Sequence, residues 1–186
     1  QMSSLAHQLD VQRADYFSLW NQQFQQVLSA LTSVPCAINY YKGWDRKDSG
    51  KSLFELLKEQ FPSDKQRQYT QYGAHNADII ITTEDSKAKQ TLSRGQQKII
   101  LIALKLAQGA LLQHDCLYLF DDLPAELDEL HQAQLIHYLS AHRGQYLITS
   151  TQKITAGSAL KASDVHEFSL HNGIIEKIVS RETIIN

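Results

Sequence analysis

Cysteine, proline and methionine are scarce here, with 2, 3 and 1 residues among 186. Two cysteines cannot build a disulfide framework. Cys36 and Cys116 both sit in apolar, strand-like runs, where a reduced, buried thiol is expected, as in a cytosolic protein. No apolar run approaches the roughly 20 residues that span a bilayer, and no basic segment leads into an apolar one. Neither a membrane span nor a signal peptide is therefore expected, and the expected location is cytoplasmic. Positive charge is not in excess either: 18 Lys and Arg face 20 Asp and Glu, a net charge of −2. No global field draws this chain to nucleic acid, so any DNA contact needs a local patch or a partner. Internal repeats and low-complexity tracts are also missing.

What is present has the balance of an ordinary folded protein, with 42% hydrophobic and 20% charged residues. That is enough for one buried domain with an appendage, or for two very small domains. The start at Gln1 is expected of a fragment or a processed chain.

Residues 1–34 carry Leu5, Leu9, Tyr16, Leu19, Trp20, Phe24, Val27, Leu28 and Leu31 at three- and four-residue steps. This predicts a long amphipathic helix stopped by Pro35. Its stripe wants a partner helix, and none of matching length follows directly, which predicts a partner outside this chain. A strand is expected at Cys36–Tyr41 and a loop at Lys42–Lys51. Ser52–Phe61 reads as a short helix with Leu53, Phe54, Leu56, Leu57 and Phe61 facing a core. Residues 68–83 read as two strand segments kinked at Gly73, and Ser86–Gln90 as a polar loop. Further on, helix (94–112), strand (Cys116–Phe120), helix (Glu129–Ala141) and strand (Tyr146–Thr149) alternate, which predicts an α/β layer. Asn172-Gly173 between Val165–Leu170 and Ile174–Val179 is a hairpin turn.

Four segments bear on chemistry. In Leu92-Ser93-Arg94-Gly95-Gln96, Ser93 and Gln96 have capping-box spacing and Gly95 admits close approach to the backbone. The helix mouth then favours an anion such as phosphate, although capping boxes also occur where nothing binds. Asp121-Asp122 follow an apolar strand, at the sheet edge where open α/β folds bind ligands. One carboxylate suits Mg²⁺ through water and its neighbour suits polarising a nucleophilic water; a solvated acidic turn is the plainer alternative. Asp128 opens the next helix as its N-cap. Gly50-Lys51-Ser52 mimics the end of a phosphate-binding loop, but G-x-x-x-x-G-K-[ST] requires glycine where Asp45 stands, so it is rejected. The pairs His137/His142 and His166/His171, five apart, match no metal motif and are expected at the surface.

Order and spacing of these segments resemble the signature motif, Walker B strand and D-loop of an ABC-class ATPase, and more narrowly the RecF family. Thr91–Gln96, Ala103–Gly109 and Leu117–Leu123 carry the likeness. So does the upstream pairing of Gly43-Trp44-Asp45 with Gln68-Tyr69-Thr70 and Gly73–Asp78. The resemblance is best over about 40–150 and weak after 152. It implies an α/β fold: the carboxyl-terminal lobe of an ABC/SMC-type split P-loop ATPase head, with the Walker A loop in an amino-terminal half. Residues 1–35 would be the returning helix of a helical arm, and residues 36–186 the lobe itself. Ser93, Arg94, Gly95 and Gln96 would form the ATP signature motif, facing nucleotide on an opposite subunit. Asp121 would serve Mg²⁺, Asp122 the attacking water, and Asp128 the dimer seam. Arg94 replaces the second glycine of LSGGQ, Asp122 replaces the usual Glu, Ala74 stands where many relatives have Pro, and no histidine stands at the switch position near Ser150-Thr151.

For the whole protein, the resemblance implies a weak, DNA-stimulated ATPase that binds ATP and Mg²⁺ and dimerises on ATP at single-strand/double-strand junctions. With RecO and RecR it would assist RecA loading. The chain alone would hold no nucleotide tightly and would not hydrolyse it. Lys42, Lys47, Lys58, Lys65 and Arg67 are candidate DNA contacts, with solvated charges as the alternative. An SMC-like chromosome or repair head, a transporter nucleotide subunit and a non-catalytic interaction module remain alternatives. A transporter subunit would lack the arm and carry a switch histidine.

Overall fold

The computed structural model describes residues 1–83, 86–87, 92–112, 114–152 and 165–178. Thr91, residues 88–90 of the expected polar loop, and Val179 lie outside the described residues. The chain forms two compact units, residues 1–113 and 114–186.

The first unit opens with helix α1 (Met2–Leu31), whose last turn ends at an extended Thr32 before Pro35. Its second half is buried: Phe24 and Leu31 are fully enclosed, and Val27 and Leu28 nearly so. Each such side chain contributes roughly 1.5–3 kcal/mol by leaving water. The partner is inside the chain after all. Helix α3 (Arg94–Ala110) packs along α1, burying Ile99, Ile100, Ala103, Leu104, Leu106 and Ala107, and the Trp20 Nε1–H donates to the Leu104 carbonyl at 3.0 Å. Leu5, Leu9 and Leu19 of α1 stay exposed.

Strand β1 (Ala37–Tyr41) pairs antiparallel with β2 (Asp78–Thr83), which pairs with the two-residue β3 (Ser86–Lys87). Between β1 and β2 lies α2 (Leu53–Arg67), started by a complete capping box of Ser52 and Glu55 and ended at a left-handed Gln68. It runs past Pro62, six residues beyond the expected end, with Asp64 buried on its last turns. Leu53 and Leu56 join Ala6 and Trp44 in a core cluster, whereas Phe54 and Phe61, expected in that core, are 65% and 63% exposed. A helix this short buries one side only, and those two rings fall on the other.

Residues 68–77 form a looped segment with a 3₁₀ turn at Ala74–Asn76 rather than the expected first strand. Its backbone is tied back locally: Gly73 N–H donates to the Gly43 carbonyl (3.1 Å) and Asn76 Nδ2 to the Gln71 carbonyl (2.8 Å).

In the second unit, β4 (Leu117–Phe120) and β5 (Gln145–Ile148) are parallel neighbours, connected through the short helix α4 (Leu123–Glu126) and α5 (Glu129–Ala141). Parallel neighbours require such a crossover. The Tyr118 and Tyr146 rings, register partners, stack with centroids 5.4 Å apart. Leu117, Leu119 and Leu147, which alternate onto one face, are exposed. The hairpin β6 (Glu167–His171) and β7 (Ile174–Ile178) closes on Asn172-Gly173, both with positive φ as a two-residue turn of this kind demands. Neither cysteine is in a disulfide; Cys36 is buried as expected, whereas Cys116, expected buried too, is only partly covered. No described helix is long and apolar enough to cross a membrane.

Candidate functional site

Ser93 caps α3 as its spacing predicts. Its hydroxyl accepts from Gln96 N–H (3.2 Å), and Gln96 Oε1 accepts from Ser93 N–H (3.0 Å). Two of the four free N–H groups at the helix mouth are thereby satisfied, which leaves those of Arg94 and Gly95 without a partner among the described residues. Ser93 and Arg94 are exposed, and a Cβ built on Gly95 would meet nothing within 4 Å. Packing among the described residues therefore gives Gly95 no reason to be glycine. The mouth is open, capped and positively polarised.

Asp121 and Asp122 leave the carboxyl end of β4, as expected. One residue past the last β4–β5 register pair stands Thr149, a functional residue that no sequence motif marks. Its hydroxyl donates to Asp121 Oδ1 (2.7 Å) and accepts from Asp122 N–H (2.8 Å). Its main chain donates to the Phe120 carbonyl (2.9 Å) and accepts from Leu123 N–H (3.2 Å). Asp122 adopts a left-handed conformation (φ 45°, ψ 52°), and its Oδ1 is buried with no hydrogen-bond partner among the described residues. An unpaired buried carboxylate oxygen is costly and calls for water or a ligand. The only signal for Thr149 was a hydroxyl at the end of a strand parallel to the acidic one.

Asp128 is the N-cap of α5, accepting from His131 N–H (2.9 Å) and pairing with His131 Nδ1 (2.8 Å). These contacts, the backbone one first, hold its carboxyl below the usual range.

Gly50-Lys51-Ser52 holds no phosphate cradle. The Asp45 carboxylate accepts from the Ser49 hydroxyl (2.5 Å), Ser49 N–H (2.7 Å) and Gly50 N–H (2.9 Å), and the Ser49 hydroxyl foremost keeps its pKa low. An anion would find that place filled by the chain's own carboxylate. Lys51 pairs with Glu59 at 2.7 Å, and Ser52 is taken up in capping α2.

The five candidate DNA contacts are not one cluster. Lys42 lies over the buried Trp44 ring, 5.5 Å from its centroid. Lys47 lines an open concavity of about 870 Å³ with Tyr41, Arg46, Tyr69 and Tyr72, where the Gly43–Asp45 and Gln68–Asp78 segments meet. Lys58, Lys65 and Arg67 are exposed on α2. At 100° per residue, Phe54, Lys58, Phe61 and Lys65 fall in one stripe about 16 Å long, while Arg67 points elsewhere. No group of three or more His, Cys, Asp or Glu side chains among the described residues could hold a metal. Ser93–Gln96 belong to the first unit, and Asp121, Asp122, Asp128 and Thr149 to the second.

The chain matches the family described as RecF/RecN/SMC N-terminal domain over residues 9–175. It is 37% identical over 171 residues to the DNA replication and repair protein RecF of Chromohalobacter salexigens, covering 89% of this chain and 46% of that protein. To RecF of Francisella tularensis it is 35% identical over 158 residues, covering 82% and 44%. Among solved structures, the recombination mediator protein RecF with ATP, from the RecFOR pathway, superposes with a TM-score of 0.65 at 19% identity, over 95% of this chain and 48% of that one. A structure from work on ATP-driven dimerisation and DNA-stimulated activation of SMC ATPases superposes with a TM-score of 0.54 at 13% identity, over 91% and 88%. The fold is that of an α/β lobe of an ABC/SMC-type ATPase head, and the chain spans about half the length of its RecF relatives. On the match over 9–175, it is a member of the RecF/RecN/SMC N-terminal domain family.

Proposed function

We propose that this chain is the part of a RecF-like DNA-repair ATPase that supplies the signature motif, the acidic Walker B end and the D-loop. One observation carries the reading: Asp121 and Asp122 are presented side by side at the carboxyl rim of a parallel strand pair, one of them with an unsatisfied oxygen. Asp121 keeps one carboxylate oxygen free of Thr149, and a single carboxylate with retained water suits Mg²⁺. When bound, that ion neutralises phosphate charge. The Asp122 carboxylate orients and deprotonates the attacking water. Ser93 and the free N–H groups of Arg94 and Gly95 meet the γ-phosphate of nucleotide on a second copy, with Gln96 closing the cap and Asp128 at the seam of the ATP-dependent homodimer. The bare face of Leu117, Leu119 and Leu147 is covered when a half carrying the Walker A loop joins, since parallel sheets bury both faces. Residues 1–35 return from a helical arm that covers Leu5, Leu9 and Leu19, and residues 36–186 form the lobe.

The α2 stripe contacts single-stranded DNA at junctions: Phe54 and Phe61 give bases a stacking surface, and Lys58 and Lys65 face phosphates. In this reading the assembled protein acts in the cytoplasm with RecO and RecR to assist RecA loading. The test is co-expression with the other half of a RecF relative. ATP turnover is expected only in the reassembled protein; turnover by this chain alone in a clean preparation contradicts the division of labour.

A further inference from the structure

We propose that the Thr149 hydroxyl is a positioning residue that sets both acids at once, aiming Asp121 through its side chain and Asp122 through its backbone. The inference rests on the roles just proposed for those acids. It draws on contacts that join residues 28 and 27 apart and exist only because β4 and β5 run parallel in register.

The direction of the hydroxyl proton follows from its neighbours. Asp122 N–H can only donate, so it takes a lone pair of Thr149 Oγ1. The single hydroxyl proton is then committed to Asp121 Oδ1. One oxygen of Asp121 is thereby fixed, and the other is left for solvent or a hydrated cation. The same oxygen atom pins the N–H of Asp122, whose left-handed backbone is strained for an L residue. Two further bonds support that turn: Leu123 N–H to the Thr149 carbonyl (3.2 Å) and Ala125 N–H to the Asp122 carbonyl (3.0 Å). Without the hydroxyl, Asp121 is free to rotate and the Asp122 turn loses the contact nearest its strained residue. Valine has nearly the same shape as threonine, so its substitution isolates the hydroxyl, while serine restores it without the methyl group.

Partners that orient a metal-binding carboxylate are commonly worth 10–100-fold in affinity or activity. In the reassembled protein, Thr149→Val is expected to lower kcat at least tenfold and to raise the Mg²⁺ concentration for half-maximal turnover by a similar factor. Thr149→Ser should stay within about threefold of wild type. In this chain alone, amide hydrogen exchange at Asp122 should speed up in Thr149→Val and not in Thr149→Ser. Thr149→Ala, which adds no bulk, is read in the same way if the valine variant misfolds. Equal behaviour of the valine and serine variants, whether both active or both impaired, overturns the proposal. Asp121→Asn provides the separate control: if it leaves Mg²⁺-dependent turnover intact, the metal reading of Asp121 fails. If Asp121→Asn abolishes turnover while Thr149→Val does not, only the Thr149 inference fails.

Discussion

Ser93 does two jobs in this account, and one substitution separates them. As an N-cap its side chain accepts Gln96 N–H at 3.2 Å; in the proposed signature role it would face an incoming γ-phosphate. Aspartate caps as well as serine does, so Ser93→Asp keeps the capping bond and adds a negative charge at the positive end of α3. Folding stability should therefore be unchanged or raised by a few tenths of a kcal/mol. Ser93→Ala should cost about 1 kcal/mol and lower Tm by about 2–4 °C. The functional effect runs the other way. A carboxylate about 4 Å from a phosphate charge, at an effective dielectric constant of about 20, is opposed by about 4 kcal/mol. That is roughly a thousandfold weaker association for each of the two nucleotide sites. Light scattering of the reassembled protein across an ATP and Mg²⁺ series reads this directly, alongside thermal melts. Ser93→Asp should melt like wild type and stay monomeric; ATP-driven dimerisation at wild-type concentrations would refute the placement of Ser93 against phosphate.

Gly43→Ala should destabilise the chain by at least about 3 kcal/mol in urea unfolding, because φ is +99° and the new Cβ would lie 2.1 Å from the Gly73 carbonyl oxygen and 2.8 Å from Ala77 N. A loss under about 1 kcal/mol would mean that the Gly43–Gly73 clasp does not form. Lys58→Ala and Lys65→Ala should each flatten the salt dependence of single-stranded DNA binding by about 0.7 in log–log slope, and Arg67→Ala should not. An unchanged slope for both lysines moves the DNA surface elsewhere. Asp45 and Asp128 both have depressed pKa values in the folded chain. Their contribution is complete above the unfolded carboxylate value of about 3.9 and is lost as pH falls below it through the folded values. Asp45→Asn should accordingly reduce the fall in unfolding midpoint between pH 6 and pH 3; an undiminished fall would assign acid sensitivity to other groups.

Sequence reasoning succeeded where the cause is local. Ser93 and Asp128 cap the helices they were expected to open, the two acids leave β4, and Asn172-Gly173 turns a hairpin, because caps, strand ends and tight turns are decided by neighbouring residues. It failed where distant packing decides. Phe54 and Phe61 share a spacing with core leucines, but α2 rests on Ala6 and Trp44 through its other side. The strand expected before Gly73 gives way to a loop because its backbone bonds go to Gly43 and back into the segment itself. The helix that buries Phe24 and Leu31 comes more than sixty residues later in the chain, so inspection of adjacent segments missed it. Thr149 belongs to the same class: its value depends on strand register, which one sequence does not display.

The central claim is that the acid pair leaving β4 does the chemistry of ATP hydrolysis in the assembled head. Single-turnover hydrolysis by reassembled Asp122→Asn protein, measured beside ATP binding by the same preparation, tests it most directly. Binding within a fewfold of wild type with hydrolysis reduced at least about a hundredfold is the predicted outcome. Hydrolysis at the wild-type rate would contradict it.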